Sequence, residues 1–195
     1  KFKIDEIRFS YDCTEKLFSN KILGLNYFKE TIKFFEEITF EILFPSQSFE
    51  LILNQIFEIK SNSNKRIQVC IFISNTQSTK IKTTHNDIIS HIIIDSSIRN
   101  IEPSSFSDLK SLTQITIPSS VITIGNYAFS GCSTLTQVTI PSYVTSIGDH
   151  TFSGCSSLTQ VTIPSSVTSI GCDAFSDCSS LAQITIPSSV TSIGD

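Results

Sequence analysis

The side chains best suited to chemistry in this 195-residue chain are three histidines and six cysteines. His85, His91 and His150 are scattered, without the H-x-x-x-H or mixed Cys/His spacing that holds a zinc ion. No Gly-x-Ser-x-Gly elbow presents a nucleophilic serine, and no glycine-rich loop is arranged to cradle a phosphate. The sequence therefore predicts no enzyme, no metal site and no cofactor.

The cysteines are distributed as structural thiols. None belongs to a C-x-x-C pair, and Cys132, Cys155 and Cys178 recur 23 residues apart. A small thiol that returns to one position of a repeat favours burial in a core over a disulfide framework.

Hydrogen bonding is the chemistry that the chain repeats. Residues 158–171 read LTQVTIPSSVTSIG, and residues 135–148 and 181–194 are nearly the same. Four kinds of residue recur every 23 positions: Leu112, Leu135, Leu158 and Leu181; Pro118, Pro141, Pro164 and Pro187; Gly125, Gly148, Gly171 and Gly194; and Phe129, Phe152 and Phe175. A divergent copy begins at Ile89. A fixed period of this size predicts a stacked solenoid.

The elements that must position these side chains can be derived from the apolar pattern L-x-x-I-x-I-P-x-x-V-x-x-I-G-x-x-A-F-x-x-C. The alternation at Ile115 and Ile117 predicts a short strand with one buried face. Pro118 lacks an N–H group and ends that strand, and Gly125 fits a turn. Residues 128–132 have the apolar spacing of a short helical or 3₁₀ turn.

The unit at residues 135–157, LTQVTIPSSVTSIGDHTFSGCSS, resembles the BspA-like (Treponema pallidum-type) leucine-rich repeat. The resemblance covers residues 89–195. It implies a leucine-rich-repeat horseshoe with a parallel β-sheet on its concave face, and a role in protein recognition or adhesion. The family occurs in bacterial surface proteins and is expanded in parasitic protozoa, and it implies no enzymatic activity.

Residues 1–88 contain no visible 23-residue copy, but the strand pattern occurs in them at 4–9, 35–40 and 66–71. Between these strands, apolar residues spaced by four, three and three predict one face of a helix in each of two units: Phe18, Ile22, Leu25 and Phe28, then Phe49, Leu53, Ile56 and Ile59. We therefore expect longer β-α units of the same solenoid in residues 1–88, followed by the 23-residue units in 89–195. The alternative is a separate α+β cap domain before the solenoid.

The outward strand positions form the candidate binding surface, because residues on either side of the first isoleucine of each strand face the concave side. When the strands are aligned on that position, Glu37 and Thr39 would lie beside Gln68 and Cys70. His91 and Ile93 would lie on the other side of Gln68 and Cys70. The candidate partner-binding residues are Glu6, Arg8, Glu37, Thr39, Gln68, His91, Gln114, Thr116, Gln137, Thr139, Gln160, Thr162, Gln183 and Thr185. The alternative is that glutamine and threonine are simply soluble strand formers.

These observations predict a non-catalytic scaffold that recognises a protein partner through the concave face, with a surface adhesin as one version. An intracellular adaptor of the same fold is the alternative, and a lattice- or polysaccharide-binding β-solenoid is a remote one. Nucleic acid is not expected as a partner, because all 14 Lys and Arg residues lie at or before Lys110 and form no basic stripe.

The compartment stays open between the cytoplasm, the plasma membrane and the cell surface. No apolar run approaches the ~20 residues of a membrane-spanning helix. The chain begins at Lys1, contains no methionine and stops within a repeat, so we expect a fragment, and we expect the cell surface if a signal or anchor is missing from that fragment. The open sheet edges at both ends predict self-association.

Overall fold

The computed structural model describes residues 6–9, 37–44, 49–61, 66–73, 79–81 and 84–194. Side-chain burial in the first two of these segments, and at some positions of the third, lies outside the description. The elements in chain order are β1 (Glu6–Phe9), β2 (Glu37–Phe44), α1 (Phe49–Ser61), β3 (Arg66–Ile73), β4 (Ile89–Ile94), β5 (Asn100–Ile101), β6 (Gln114–Thr116), β7 (Thr123–Ile124), β8 (Gln137–Thr139), β9 (Ser146–Ile147), β10 (Gln160–Thr162), β11 (Ser169–Ile170) and β12 (Ser192–Ile193).

The strands stack in parallel and nearly in sequence order, as a leucine-rich-repeat solenoid requires. One sheet has the order β1-β2-β3-β4-β6. Strands β8 and β10 pair with each other and occupy the same position of their repeats as β6. A second sheet has the order β5-β7-β9-β11-β12. Strands from both halves of the chain share the first sheet, which confirms the predicted fold.

The register between β2, β3 and β4 differs from the predicted alignment. Thr39 pairs with Gln68, and Cys70 pairs with His91, so the offsets are two residues shorter than expected. A shift of two residues preserves which side chains face outward, because side chains alternate with period two. The irregularity between Val69 and Cys70 is held by Ser90, whose hydroxyl accepts from Val69 N at 3.1 Å and donates to Val69 O at 3.2 Å.

The core of the 23-residue units is a set of stacked apolar columns. Phe106, Phe129, Phe152 and Phe175 form one column, with ring centroids 5.4, 5.3 and 5.4 Å apart in successive pairs. The first three rings are fully buried, whereas Phe175 is half-buried. Each ring therefore gains most of its burial from the turns before and after it, as expected for a solenoid.

The segment that contains each phenylalanine combines turns with inter-turn pairing, where the sequence predicted a short helical or 3₁₀ turn. Ala128 N donates to Gly125 O at 3.2 Å and Cys132 N to Phe129 O at 3.1 Å, which are bonds within the turn. Tyr127 N donates instead to Asp149 O, and Phe129 N to Thr151 O, both at 2.9 Å in the next turn. Alternate N–H groups thus bond locally and to the neighbouring turn, so no continuous helix forms here.

Glycine has two different roles in these turns. A Cβ atom at Gly125 would lie 2.6 Å from Pro103 N, and one at Gly171 would lie 2.5 Å from Asp149 N. The repeated Ile-Gly step is therefore required by the close approach of successive backbones. The left-handed positions lie elsewhere, at Gly131 and Gly154 with φ of 74° and 73°, and at Tyr127 with φ of 59°.

Helix α1 confirms the predicted helical segment before β3. Leu53 and Ile56, two of the four residues on the predicted apolar face, are fully buried. The corresponding helix predicted from Phe18 to Phe28 lies outside the described residues.

Candidate functional site

The surface presented by β6, β8 and β10 is a regular array of polar side chains. Alternation along each strand turns the central residue inward, to Ile115, Val138 or Val161, and leaves the flanking side chains exposed. We call these six exposed residues the concave ladder: Gln114, Thr116, Gln137, Thr139, Gln160 and Thr162. In the register of β8 and β10, glutamine pairs with glutamine and threonine with threonine, ~4.8 Å from strand to strand.

The N-terminal part of the predicted surface joins the same sheet but is less exposed. His91 pairs with Gln114, and both His91 and Gln68 are half-buried. Cys70, on the outward side of β3, is buried at 9% exposure. Glu6 pairs with Glu37, and Arg8 with Thr39, and the structure describes only the backbone of these four residues.

Gln183 and Thr185 are exposed, but they do not extend the concave ladder as strand residues. Residues 181–187 form no strand, although Ser192–Ile193 (β12) pairs with β11 in the second sheet. The last strand of the concave ladder is therefore β10, rather than a strand near Ile184.

Many other serines and threonines are occupied by bonds that join one turn to the previous one. Ser120 donates to Ile98 O at 2.8 Å, Ser166 to Val144 O at 2.6 Å, and Ser189 to Val167 O at 2.8 Å. Two columns of threonines do the same: Thr159 donates to Thr136 O in one column, and Thr168 donates to Thr145 O in the other. These hydroxyls stabilise the stack.

The concave ladder is different because its side chains keep their hydrogen-bonding capacity. The hydrogen bonds among the described residues include none from these amides or hydroxyls. The ladder is also uncharged, and the only charged residues between positions 111 and 194 are Asp149, Asp173 and Asp177, which lie outside the concave strands. It therefore offers neutral donors and acceptors at a regular spacing.

The recurring cysteines are buried in the core, as their spacing predicts, and their thiols donate hydrogen bonds there. The Sγ atoms of Cys132, Cys155 and Cys178 donate to Phe106 O, Phe129 O and Phe152 O at 3.0, 3.2 and 3.1 Å. Burial raises the pKa of Cys155 to about 12 and raises that of the other two thiols as well. A buried thiol that stays protonated is a poor nucleophile and a poor metal ligand.

Each histidine has a structural neighbour, and for His85 it is Asn54, whose Oδ1 lies 2.7 Å from the His85 Nε2 atom. His91 Nδ1 lies 2.9 Å from Ser90 Oγ, which already bridges the backbone of Val69. His150 stacks on Tyr127 with ring centroids 4.6 Å apart, and its Nδ1 lies 3.9 Å from the Asp173 carboxylate.

The described segments contain neither a metal-binding cluster nor a membrane-spanning helix. Their His, Cys, Asp and Glu side chains form no cluster of three or more that could hold a metal ion. None of their helices combines the length and apolar character needed to cross a bilayer.

Comparison with known proteins gives consistent results for the repeats. A model of the BspA type leucine rich repeat region matches residues 84–195 in six copies. No curated protein matches the chain.

Several solved bacterial structures are similar. A leucine rich cell surface protein of Faecalibacterium prausnitzii is 29% identical with a TM-score of 0.54, over 82% of this chain and 43% of that protein. The T. pallidum leucine rich repeat protein is 30% identical with a TM-score of 0.52, over 65% of this chain and 56% of that one. A leucine-rich repeat protein of Bacteroides ovatus is 32% identical with a TM-score of 0.53, over 60% and 35%. The chain thus spans less than two thirds of each of these structures.

Proposed function

Because the chain belongs to the BspA-type leucine-rich repeat family, whose members are generally interaction scaffolds, we propose that it recognises a protein partner through the concave ladder, without catalysis. The observation that supports this proposal most directly is that the polar residues differ in whether their side chains are hydrogen-bonded. The serines and threonines outside the ladder bond the turns together, whereas the ladder amides and hydroxyls have no partner among the described residues. Exposed neutral donors and acceptors on a rigid sheet suit the backbone and polar side chains of another protein.

Near-identical rows also suit a partner that is extended or repetitive. Each row adds a similar small contribution, and several rows that bind together raise the overall affinity. The half-buried His91 and the charged N-terminal candidates Glu6, Arg8 and Glu37 extend the proposed surface beyond the uniform rows.

The test replaces one ladder residue in each of three turns with lysine, as Gln114→Lys, Gln137→Lys and Gln160→Lys together. The control carries Ser130→Lys, Ser153→Lys and Ser176→Lys, which add the same charge at the same spacing but follow the stacked phenylalanines, away from the concave strands. Proteins cross-linked to the wild-type chain in cells are expected to be retained by the control and lost by the ladder variant. Equal capture by both variants, or no capture by the wild-type chain, would contradict the proposal.

We propose the cell-surface version over the intracellular adaptor, since the similar Faecalibacterium protein is described as a cell surface protein. Antibody labelling of the full-length protein on intact cells tests this choice. Labelling that requires permeabilisation of the cells would favour the adaptor.

A further inference from the structure

Two exposed apolar side chains interrupt the uniform serine and threonine columns that follow the ladder strands along the chain. Tyr143 is 66% exposed and occupies the position of Ser120, Ser166 and Ser189 in the other turns. Ile122 is 40% exposed and occupies the position of Thr145, Thr168 and Thr191. The two flank consecutive buried valines, Val121 and Val144, in turns whose strands β7 and β9 are paired.

The tyrosine replaces a residue that elsewhere stabilises the stack. In the turns before and after, the equivalent serine donates to the carbonyl of the preceding turn, at 2.8 Å from Ser120 and 2.6 Å from Ser166. Among the described residues, Tyr143 donates no such bond to Val121 O. The protein therefore gives up an inter-turn hydrogen bond and exposes an aromatic ring instead, which is unfavourable for an isolated solenoid.

The side chain of Arg99 adds a positive charge next to Ile122. Arg99 is exposed, lies in the same column as Ile122, and is adjacent to it, since Ile122 N donates to Arg99 O at 2.8 Å. Arg99 forms no ion pair within the described part of the chain. The carboxylate of Asp95, four residues before Arg99 in the sequence, accepts from Ser97 N at 2.9 Å.

We infer that Arg99, Ile122 and Tyr143, here called the edge patch, anchor the partner and set its register along the repeats. This inference rests on the proposed function. The uniform ladder rows leave a partner free to shift by one turn, and the edge patch occurs at one place. Tyrosine and arginine are enriched among residues that dominate binding energy. The occupant we assign is an extended segment of a protein partner, with an apolar side chain on Ile122 and Tyr143 and a carboxylate on Arg99.

The chain itself supplies the sharpest variant. Tyr143→Ser with Ile122→Thr converts the patch to the residues of the neighbouring turns, so the fold is expected to be retained and the serine can restore the bond to Val121 O. Thermal unfolding should therefore show a midpoint no lower than that of the wild type. The probe is a phage-displayed library of random 12-residue peptides.

The wild-type chain is expected to enrich peptides that combine an aromatic or aliphatic residue with aspartate or glutamate. The double variant should retain these peptides at least tenfold less, and Arg99→Gln should remove the acidic preference while keeping the apolar one. Equal retention by the double variant, enrichment without this pattern, or no enrichment at all would overturn the inference.

The three-lysine ladder variant separates this inference from the proposed function. Loss of the peptides in the ladder variant alone would leave the ladder as the binding surface and remove the edge patch. Loss in the double variant alone would leave the patch and count against the ladder.

Discussion

At the scale of single residues, side chains of the same type have different tasks according to their position in the turn. Ser166 bonds the preceding turn, whereas Ser165, its neighbour in sequence, is exposed. Gly148 allows two backbones to approach closely, whereas Gly154 adopts a left-handed conformation. Substitutions at these positions should separate the two kinds of constraint.

The two glycine roles predict different responses to alanine. A Cβ at Gly148 would lie 2.9 Å from Asn126 N, so Gly148→Ala must displace backbone. Gly154→Ala meets only ordinary contacts, 3.5 Å from Gly131, and is expected to lower the free energy of unfolding by about 1–2 kcal/mol through its φ of 73°. Denaturant unfolding should give the larger loss for Gly148→Ala.

Aspartate is the matched control at the left-handed position, because Asp108 and Asp177 occupy it in other turns with φ of 58° and 56°. Gly154→Asp should therefore be milder than Gly154→Ala. A Gly148→Ala variant as stable as the wild type would contradict the close-approach interpretation.

The raised pKa of Cys155 predicts a loss of stability at alkaline pH. In the unfolded chain the thiol ionises near its ordinary value of 9.0, whereas in the folded chain its pKa is about 12. Its contribution is fully present below pH 9 and is lost as pH rises from 9 towards 12, because only the unfolded state releases the proton there. The slope is at most about 1.4 kcal/mol per pH unit for one group.

Denaturant unfolding at pH 8 to 10.5 measures this effect. Cys155→Ala should flatten the alkaline decline, whereas the same change at the exposed Cys172 should not. Identical pH profiles for the wild type and Cys155→Ala would show that burial of this thiol does not influence alkaline stability.

At the scale of elements, the junction between β3 and β4 connects the longer N-terminal units to the regular repeats. The strands can pair across the irregularity at Val69 because Ser90 satisfies both backbone groups of that residue. The Ser90 hydroxyl thus replaces the backbone hydrogen bonds between β3 and β4 that the register shift removes at Val69.

Ser90→Ala is expected to lower the free energy of unfolding by about 1–3 kcal/mol, because it leaves backbone groups of Val69 without that partner. Hydrogen exchange should accelerate first in β3 and β4. Ser119→Ala, at an exposed position, is the control and should change stability little. Unchanged exchange at Val69 in the Ser90→Ala variant would contradict this role.

At the scale of the whole molecule, stability is a sum over neighbouring turns, so the same substitution should have different effects along the stack. Phe129 is fully buried between Phe106 and Phe152, whereas Phe175 is half-buried and stacks only on Phe152 among the described rings.

Phe129→Ala should lower the free energy of unfolding by about 3–5 kcal/mol, and Phe175→Ala by clearly less. Hydrogen exchange should show local opening near β12 for Phe175→Ala and wider loss of protection for Phe129→Ala. Equal losses of stability would indicate that the chain does not behave as a stack of neighbour-coupled turns.

The sequence by itself determined the repeat, its strands, the inward phenylalanines and cysteines, and the outward glutamine and threonine rows. These features depend on local periodicity, because a strand turns alternate residues to opposite sides whatever it pairs with. The helix at Leu53 and Ile56 was predictable for the same reason.

Only the tertiary structure decided the register at Gln68 and His91 and showed why residue 125 must be glycine. It also decided which hydroxyls donate hydrogen bonds to the preceding turn. Each of these depends on a neighbouring turn that is 21 to 29 residues away in sequence. A serine looks the same in the sequence whether or not a carbonyl of the preceding turn lies within reach. The sequence shows that Tyr143 replaces a serine of the repeat. Only the structure shows that the equivalent Ser120 and Ser166 bond the preceding turn, so that the tyrosine removes a hydrogen bond of the stack.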